Sequence, residues 1–324
     1  VTFSEQDRYC QRTMAFFRFI MSLLVASGVV ADQIDPAFYA RMFMNNKPMF
    51  DAISMEVISH LVEGARGSIL DLASGPGEPS VTLGTMGNAP WTKNRIGRIV
   101  STDFQEEMTK KAKARAEKAG VSSDVEKDLH LEYVAPVSGD DLSQFSDDSF
   151  DAVTMSFGLM FVPNKQKCLE EIYRVLKPGG YAYLSVWKIL TFHKFAHEVL
   201  AEINDGSIMP EFPINPSALN ETGIVEKFAE DAGLEVTRDQ LLSYGFKMGS
   251  AEETADGLAI LTGSSLKKLE EEGKTDAKKQ FYDIVKREVY NRLWQTEQGE
   301  VTVPDNKPQL LTLKKPEGGK HEEL

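Results

Sequence analysis

Between residues 67 and 187 short apolar runs alternate with helical patterns, and that alternation leaves few folds open. The runs are Ser68–Leu72, Ile99–Thr102, Leu129–Val134, Ala152–Ser156 and Tyr181–Trp187. The segments between them, about Ser80–Met86, Glu106–Ala119 and Lys165–Leu176, carry helical spacing. Strands separated by helices read as parallel βαβ units, and helices on both faces explain why such strands are apolar throughout. The expectation is an α/β chain built on a Rossmann-like, mostly parallel seven-stranded sheet with helices on both faces. An N-terminal helical extension and a helical insert before the last strands complete it.

The flanks differ. Residues 1–66 read as helical, with Met14, Phe17, Ile20, Met21 and Leu24, then Phe50, Ile53, Val57 and Leu61, at helical intervals. After Trp187, Ile189–Asn204 reads as a helix, and Pro210, Pro213 and Pro216 then impose a loop. A helix over Thr222–Ala232 stops at Gly233, and Leu234–Tyr244 reads as a strand. Helices follow near Ala251–Leu261 and Thr275–Leu293, then a last strand at Gln309–Lys314 and a charged tail. The expected divisions are 1–66, 67–187, 188–316 and 317–324.

With 36 basic and 49 acidic residues the 324-residue chain carries a net charge of −13. Such a balance repels phosphate backbones, so no nucleic-acid partner is expected. Two cysteines, Cys10 and Cys168, exclude a disulfide framework and point to a reducing compartment. The most apolar stretch, Phe16–Val30, is too short for a bilayer core of roughly 30 Å, so no integral membrane segment is expected. The chain opens at Val1 rather than Met, which fits a removed leader. A cytoplasmic location, or an organelle lumen after leader removal, is the expectation, and a homodimer is compatible with it.

The most informative segment is SILDLASGPGEPS, residues 68–80. An apolar run ends at Asp71, small residues follow at Ala73, Ser74, Gly75 and Gly77, and a helix begins near Ser80. Glycines let a backbone turn sharply and approach a ligand, and a helix start offers free N–H groups. A dinucleotide loop would need a third glycine where Ser80 stands, and Asp71 would repel a pyrophosphate. The acidic residue suits a cationic group instead, although a plain tight turn is equally consistent with it. One βαβ unit later a strand ends at Asp103. Its carboxylate can accept both hydroxyls of a ribose, with Phe104 placed against adenine, or it can simply cap the next helix. Farther on, Phe157, Gly158 and Leu159 lie just past the carboxyl end of a strand, where open α/β sheets bind ligands.

Four ordered segments, LDLASGPGEPS, STDF, SFDAVTMSFGLMFVP and RVLKPGG, give the chain a strong family likeness over roughly residues 65–190. It resembles the class I S-adenosylmethionine-dependent methyltransferases, in particular the ubiquinone/menaquinone-type group. The resemblance implies S-adenosyl-L-methionine as cofactor, S-adenosyl-L-homocysteine as product and a small-molecule methyl acceptor. It implies that Asp71, Ala73, Gly75 and Gly77 line the methionyl and ribose part, that Asp103 holds the ribose diol, and that Phe104 lies beside adenine. The family supplies an acidic and a small residue to adenine after the third strand; here Ser138 and Gly139 stand there, a departure that leaves adenine to Ser138, Asp140 or the backbone. Ser156 and Phe157 would sit near the methyl group. Residues 67–187 become the cofactor-binding core, and 188–316 the substrate-covering part with the last two strands.

Methyl transfer from a sulfonium is an in-line displacement, so positioning does most of the work. Only a nucleophile that arrives protonated needs a base. His193 and His197, four apart after the fifth strand, share one helix face and are the candidates. No acidic third ligand accompanies them, so no metal is expected. Two rival readings remain open at this point: an NAD-dependent oxidoreductase, and a non-catalytic methyltransferase-like partner subunit.

Overall fold

The computed structural model describes residues 43–318 except 93, 122–127 and 208–215. The helical reading of residues 1–42, including Phe16–Val30, lies outside the described residues, as do Pro210, Pro213 and the last six residues. The chain divides into two compact units. The larger comprises Asn45–Lys194, Pro210–Phe246 and Val303–Leu324, and the smaller Val1–Met44, Phe195–Met209 and Lys247–Thr302.

The larger unit opens with helix α1 (Lys47–His60) and continues β1 (Gly67–Asp71), α2 (Ser80–Gly87), β2 (Ile96–Thr102), α3 (Glu106–Lys118), β3 (His130–Val134) and β4 (Phe150–Ser156). Helix α4 (Lys165–Val175), β5 (Leu176–Ile189), the start of α5 (Thr191–Ile203), α6 (Ile224–Ala232), β6 (Glu235–Leu241) and the start of β7 (Tyr244–Gly249) follow, the remainders of α5 and β7 being counted with the smaller unit. Strand β8 (Val301–Lys314) closes the sheet after the helices of the smaller unit. The sheet order is β3-β2-β1-β4-β5-β8-β6, with β7 also paired to β8. Strands β1 to β5 are parallel, and β8 runs antiparallel to both β5 and β6. The described sheet therefore has eight strands rather than seven. Residues 234–244, read as one strand, hold the whole of β6 and only the first residue of β7, which is the extra strand.

Right-handed crossovers explain the layering. The chain steps from β1 through α2 to β2 in one direction and from β4 through α4 to β5 in the other, so these helices cover opposite faces. Ile69, Leu70, Ile99, Val100, Val153 and Leu184 are buried between the layers. Helix α1 is fastened to the sheet by polar contacts: Thr312 donates to Glu56 at 2.5 Å, and His60 Nδ1 lies 2.8 Å from the Tyr183 hydroxyl. The direction of travel reverses between β1 and β4, and at such a switch point the carboxyl ends of the strands leave a crevice for ligands. The register sets Asp71 level with Ser101 on one side and Thr154 on the other, and Ser156 level with Ser185.

The LKPGG segment does not end in a free turn. Leu176 pairs with Phe150, the register then slips, and Tyr181 pairs with Ala152, so β5 starts at Leu176. Gly179 takes the kink at φ +79°.

In the smaller unit, helices α7 (Ala251–Leu261), α8 (Gly263–Glu271) and α9 (Ala277–Asn291) pack together through Leu258, Leu269, Phe281 and Val285. Phe195 meets Trp294 edge-on at 5.0 Å, and the Arg292 guanidinium lies over both rings. Among the described residues no helix is long and apolar enough to cross a membrane.

Candidate active site

The turn after β1 runs in the left-handed region at three of five positions: Ala73 (φ +52°), Gly75 (φ +54°) and Gly77 (φ +101°). Glycine takes these angles freely, whereas alanine there is strained by roughly 1–2 kcal/mol. The surroundings hold the turn in this shape. Arg115 of α3 donates to the Pro76 carbonyl at 2.7 Å and pairs with the buried Glu78 carboxylate at 2.8 Å. A Cβ on Gly77 would lie 2.9 Å from the Ala112 Cβ, so α3 presses directly on the glycine. Ser74 Oγ and Ser101 Oγ are 2.7 Å apart beneath the turn.

Asp71 is fully buried. Its Oδ2 accepts from the Ser80 N–H at 3.1 Å and the Ser80 hydroxyl at 2.5 Å, and its Oδ1 accepts from the Thr154 hydroxyl at 2.7 Å. The carboxylate thus caps the first turn of α2 and ties β1 to β4. Burial pushes its pKa up to about 7 despite the opposing hydrogen bonds, and nearby Glu78 adds to the rise. The direct grip on a cationic ligand suggested by sequence is corrected in one respect: Asp71 supports the turn from below and touches no surface.

Asp103, at the tip of β2, is placed differently. Its Oδ2 accepts from the Gly75 N–H at 3.0 Å and its Oδ1 from the Gln105 N–H at 2.8 Å. One oxygen holds the chain where it enters α3, as the capping reading expects, and the other fixes the glycine turn. Burial raises its pKa, against the pull of these backbone donors. The Phe104 N–H also acts on this carboxylate, and the acceptor capacity left beside the three backbone donors matches a hydroxyl of a vicinal diol. Phe104 beside it is exposed, 42% accessible.

The loop after β3 crosses this tip: the Val137 N–H donates to the Asp103 carbonyl at 2.9 Å. Ser138 turns its hydroxyl to Asp140, and a Cβ on Gly139 would meet Cys168, Met155 and Val162, each at 3.1 Å. Ser138 and Gly139 are therefore close to Asp103 along the chain path, with the Ser138 hydroxyl engaged locally.

At the tip of β4, Ser156 Oγ lies 3.1 Å from Ser185 Oγ. Phe157 is itself left-handed at φ +55°. Its N–H donates to the Ser185 carbonyl at 3.0 Å, and its ring stacks on Trp187 at 4.5 Å and 12°. Trp187 meets Tyr244 and Phe246 edge-on at 6.2 and 5.6 Å, and Tyr244 donates to Asn46 at 3.1 Å. A Cβ on Gly158 would lie 2.7 Å from the Ala73 Cβ, so the β4 tip and the glycine turn touch. We expect Gly158→Ala to force the two loops apart, costing about 1–3 kcal/mol in urea unfolding. Cofactor affinity should weaken at the same time; an unchanged unfolding midpoint would refute the tight approach.

Helix α5 carries His193 and His197 one turn apart, both half-buried. His193 belongs to the larger unit and His197 to the smaller. Among the described residues no group of three or more His, Cys, Asp or Glu side chains could hold a metal ion. Sequence reasoning gave no role to Thr154, Ser185 or Arg115. The signal for Thr154 and Ser185 is polarity within otherwise apolar strands, and Arg115, on helix α3, carries none.

The donor set tests the adenosyl cofactor against this site. A diol-matching carboxylate at β2, a backbone turn held open by glycines at β1 and a strained aromatic at β4 converge on the switch point. No third glycine or cationic side chain stands in the turn to receive a pyrophosphate. The fit is to a nucleoside without a pyrophosphate.

The fold and this site define an S-adenosylmethionine-dependent methyltransferase of the Rossmann-like class. A family model described as the ubiE/COQ5 methyltransferase family matches residues 47–210. The chain belongs to that family. It is 28% identical over 198 residues to the ubiquinone/menaquinone biosynthesis C-methyltransferase UbiE of Hydrogenovibrio crunogenus, covering 60% of this chain and 70% of that one. The namesake from Escherichia fergusonii is 30% identical over 175 residues, covering 54% and 62%. A crystal structure from Bacillus halodurans C-125, assigned as a methyltransferase, aligns with 82% of this chain and 99% of its own at a TM-score of 0.50 and 20% identity, which bears on the fold.

Proposed function

We propose that this chain transfers a methyl group to a ring carbon of a small, planar, electron-rich acceptor of the quinol type. The observation that carries the reading is the aromatic wall of Phe157, Trp187 and Tyr244, set beside the cofactor turn through the Gly158–Ala73 contact. The relatives named for ubiquinone/menaquinone C-methylation support the same acceptor class.

When bound, S-adenosylmethionine supplies a methyl group already activated by its sulfonium. Asp103 would hold the ribose diol, while the Ala73–Gly77 turn and Ser156 would receive the rest of the cofactor. Asp71 keeps that turn in shape from beneath. Phe104 would cover adenine, and Ser138 and Gly139 would border it. Phe157 would align a flat ring and exclude water, which is where positioning lowers the barrier. A carbon acceptor also sheds a proton, and His193, in the same unit as the turn, is the proposed base.

The test supplies the full chain with S-adenosylmethionine and a short-chain quinol bearing one unsubstituted ring carbon, with a catechol and a primary amine as competitors. Mass spectrometry of the product locates the new methyl. Methyl on the ring carbon is the expected result; turnover of the catechol or amine alone overturns the acceptor. His193→Gln should lose turnover while leaving cofactor affinity in place.

A further inference from the structure

We propose that Trp187 is a positioning residue for the methyl donor, acting through Phe157 on the glycine turn. Phe157 holds a backbone angle that bulky side chains avoid, φ +55°. Something must keep it there. Two contacts do so. Its N–H is held by Ser185, whose carbonyl accepts at 3.0 Å and hydroxyl at 3.2 Å. Its ring lies flat on the Trp187 indole at 4.5 Å.

Trp187 cannot move away. It is 5% exposed, and Tyr244 and Phe246 brace it edge-on from two directions. Tyr244 and Phe246 stack on each other at 6.1 Å, which makes the brace continuous. The indole is thus a fixed block against which the Phe157 ring rests.

The consequence lies one residue on. Gly158 approaches Ala73 so closely that a methyl would not fit, and Ala73 is itself left-handed, φ +52°. Rotation of Phe157 toward an ordinary extended backbone would carry Gly158 across Ala73 and displace the turn. The order of influence is Trp187, Phe157, Gly158, Ala73. The indole acts at a distance from the donor, and the assignment holds whatever the acceptor is.

The test is a double-mutant cycle on the full chain, read by calorimetric titration with S-adenosylhomocysteine. Trp187→Leu removes the stacking face and should raise Kd about tenfold. Trp187→Phe keeps a flat ring and should stay within about threefold of the parent. Phe157→Gly accepts the left-handed angle without a ring, so adding Trp187→Leu to it should change Kd by less than about twofold. A residue that merely fills the core would lower the melting temperature equally in both backgrounds and would give independent, multiplying effects on Kd. That outcome, or full affinity in a folded Trp187→Leu, overturns the proposal. Should Trp187→Leu fail to fold, Phe157→Leu takes its place, because it removes the other face of the stack; unchanged affinity there overturns the proposal equally. Failure of the quinol assay leaves these affinities unaffected, so the two readings fall separately.

Discussion

Asp103→Ala should abolish useful donor binding, raising the Kd for S-adenosylhomocysteine by about a hundredfold. A hydrogen bond to a charged group is worth ~1.5–3 kcal/mol, and this carboxylate keeps acceptor capacity for a ribose hydroxyl beside the backbone N–H groups that hold it. The upper part of that range gives a factor near a hundred. The substitution also removes the acceptors for the Gly75 and Gln105 N–H groups. Losing a helix cap costs about 1 kcal/mol, so the protein should still unfold cooperatively, at slightly lower urea. Asp103→Asn keeps one acceptor oxygen and should lose about tenfold. Calorimetry on folded protein reads both effects. Affinity within threefold of the parent in Asp103→Ala would remove Asp103 from the cofactor site and return it to a pure capping role.

The strands were legible because burial on both faces writes itself as unbroken apolar runs, and β1 to β4 fall within three residues of where the runs place them. The start of β5 was not. Pro178, Gly179 and Gly180 read as a stop, yet the sheet continues through them, since Leu176 finds a partner in Phe150 and Gly179 absorbs the register slip. Strand β7 was hidden by Gly245 and Gly249, which weaken any strand pattern. Helix α8 was missed because only Leu266 and Leu269 mark its buried face among lysines and glutamates.

The site follows the same division. Position along the chain sufficed to nominate Asp71 and Asp103, because both end strands next to a turn. Their roles differ through residues far away in sequence. Thr154, 83 positions on, takes one Asp71 oxygen and Ser80 the other, so that carboxylate is consumed internally. Asp103 meets only backbone N–H groups and keeps capacity for a ligand. No local pattern separates a carboxylate with spare lone pairs from one without. The same holds for Trp187, whose part becomes visible only once Phe157, thirty residues earlier, lies flat against it.

The stability of the chain should carry the signature of Asp71 between pH 4 and 8. In the folded chain burial raises its pKa from 3.8 to about 7. In the unfolded chain it titrates in the ordinary carboxylate range. Below pH 4 both states are protonated and the contribution is fully present. As pH rises the unfolded chain releases this proton first, so stability falls until the folded pKa is passed near 7. A difference of that size is on the order of 4 kcal/mol, large beside a typical total of roughly 5–15. Asp71→Asn preserves the shape and cannot ionise. The stability of the parent minus that of Asp71→Asn should therefore drop by on the order of 2–3 kcal/mol between pH 5 and pH 8. Urea unfolding at a series of pH values gives this difference directly, and other titrating groups cancel because both proteins share them. Glu78 adds to the rise at Asp71, so repeating the pair in a Glu78→Gln background should shrink the drop. Parallel curves would mean that Asp71 stays ionised when folded, its charge held by the first turn of α2 and the hydroxyls of Ser80 and Thr154 against the cost of burial.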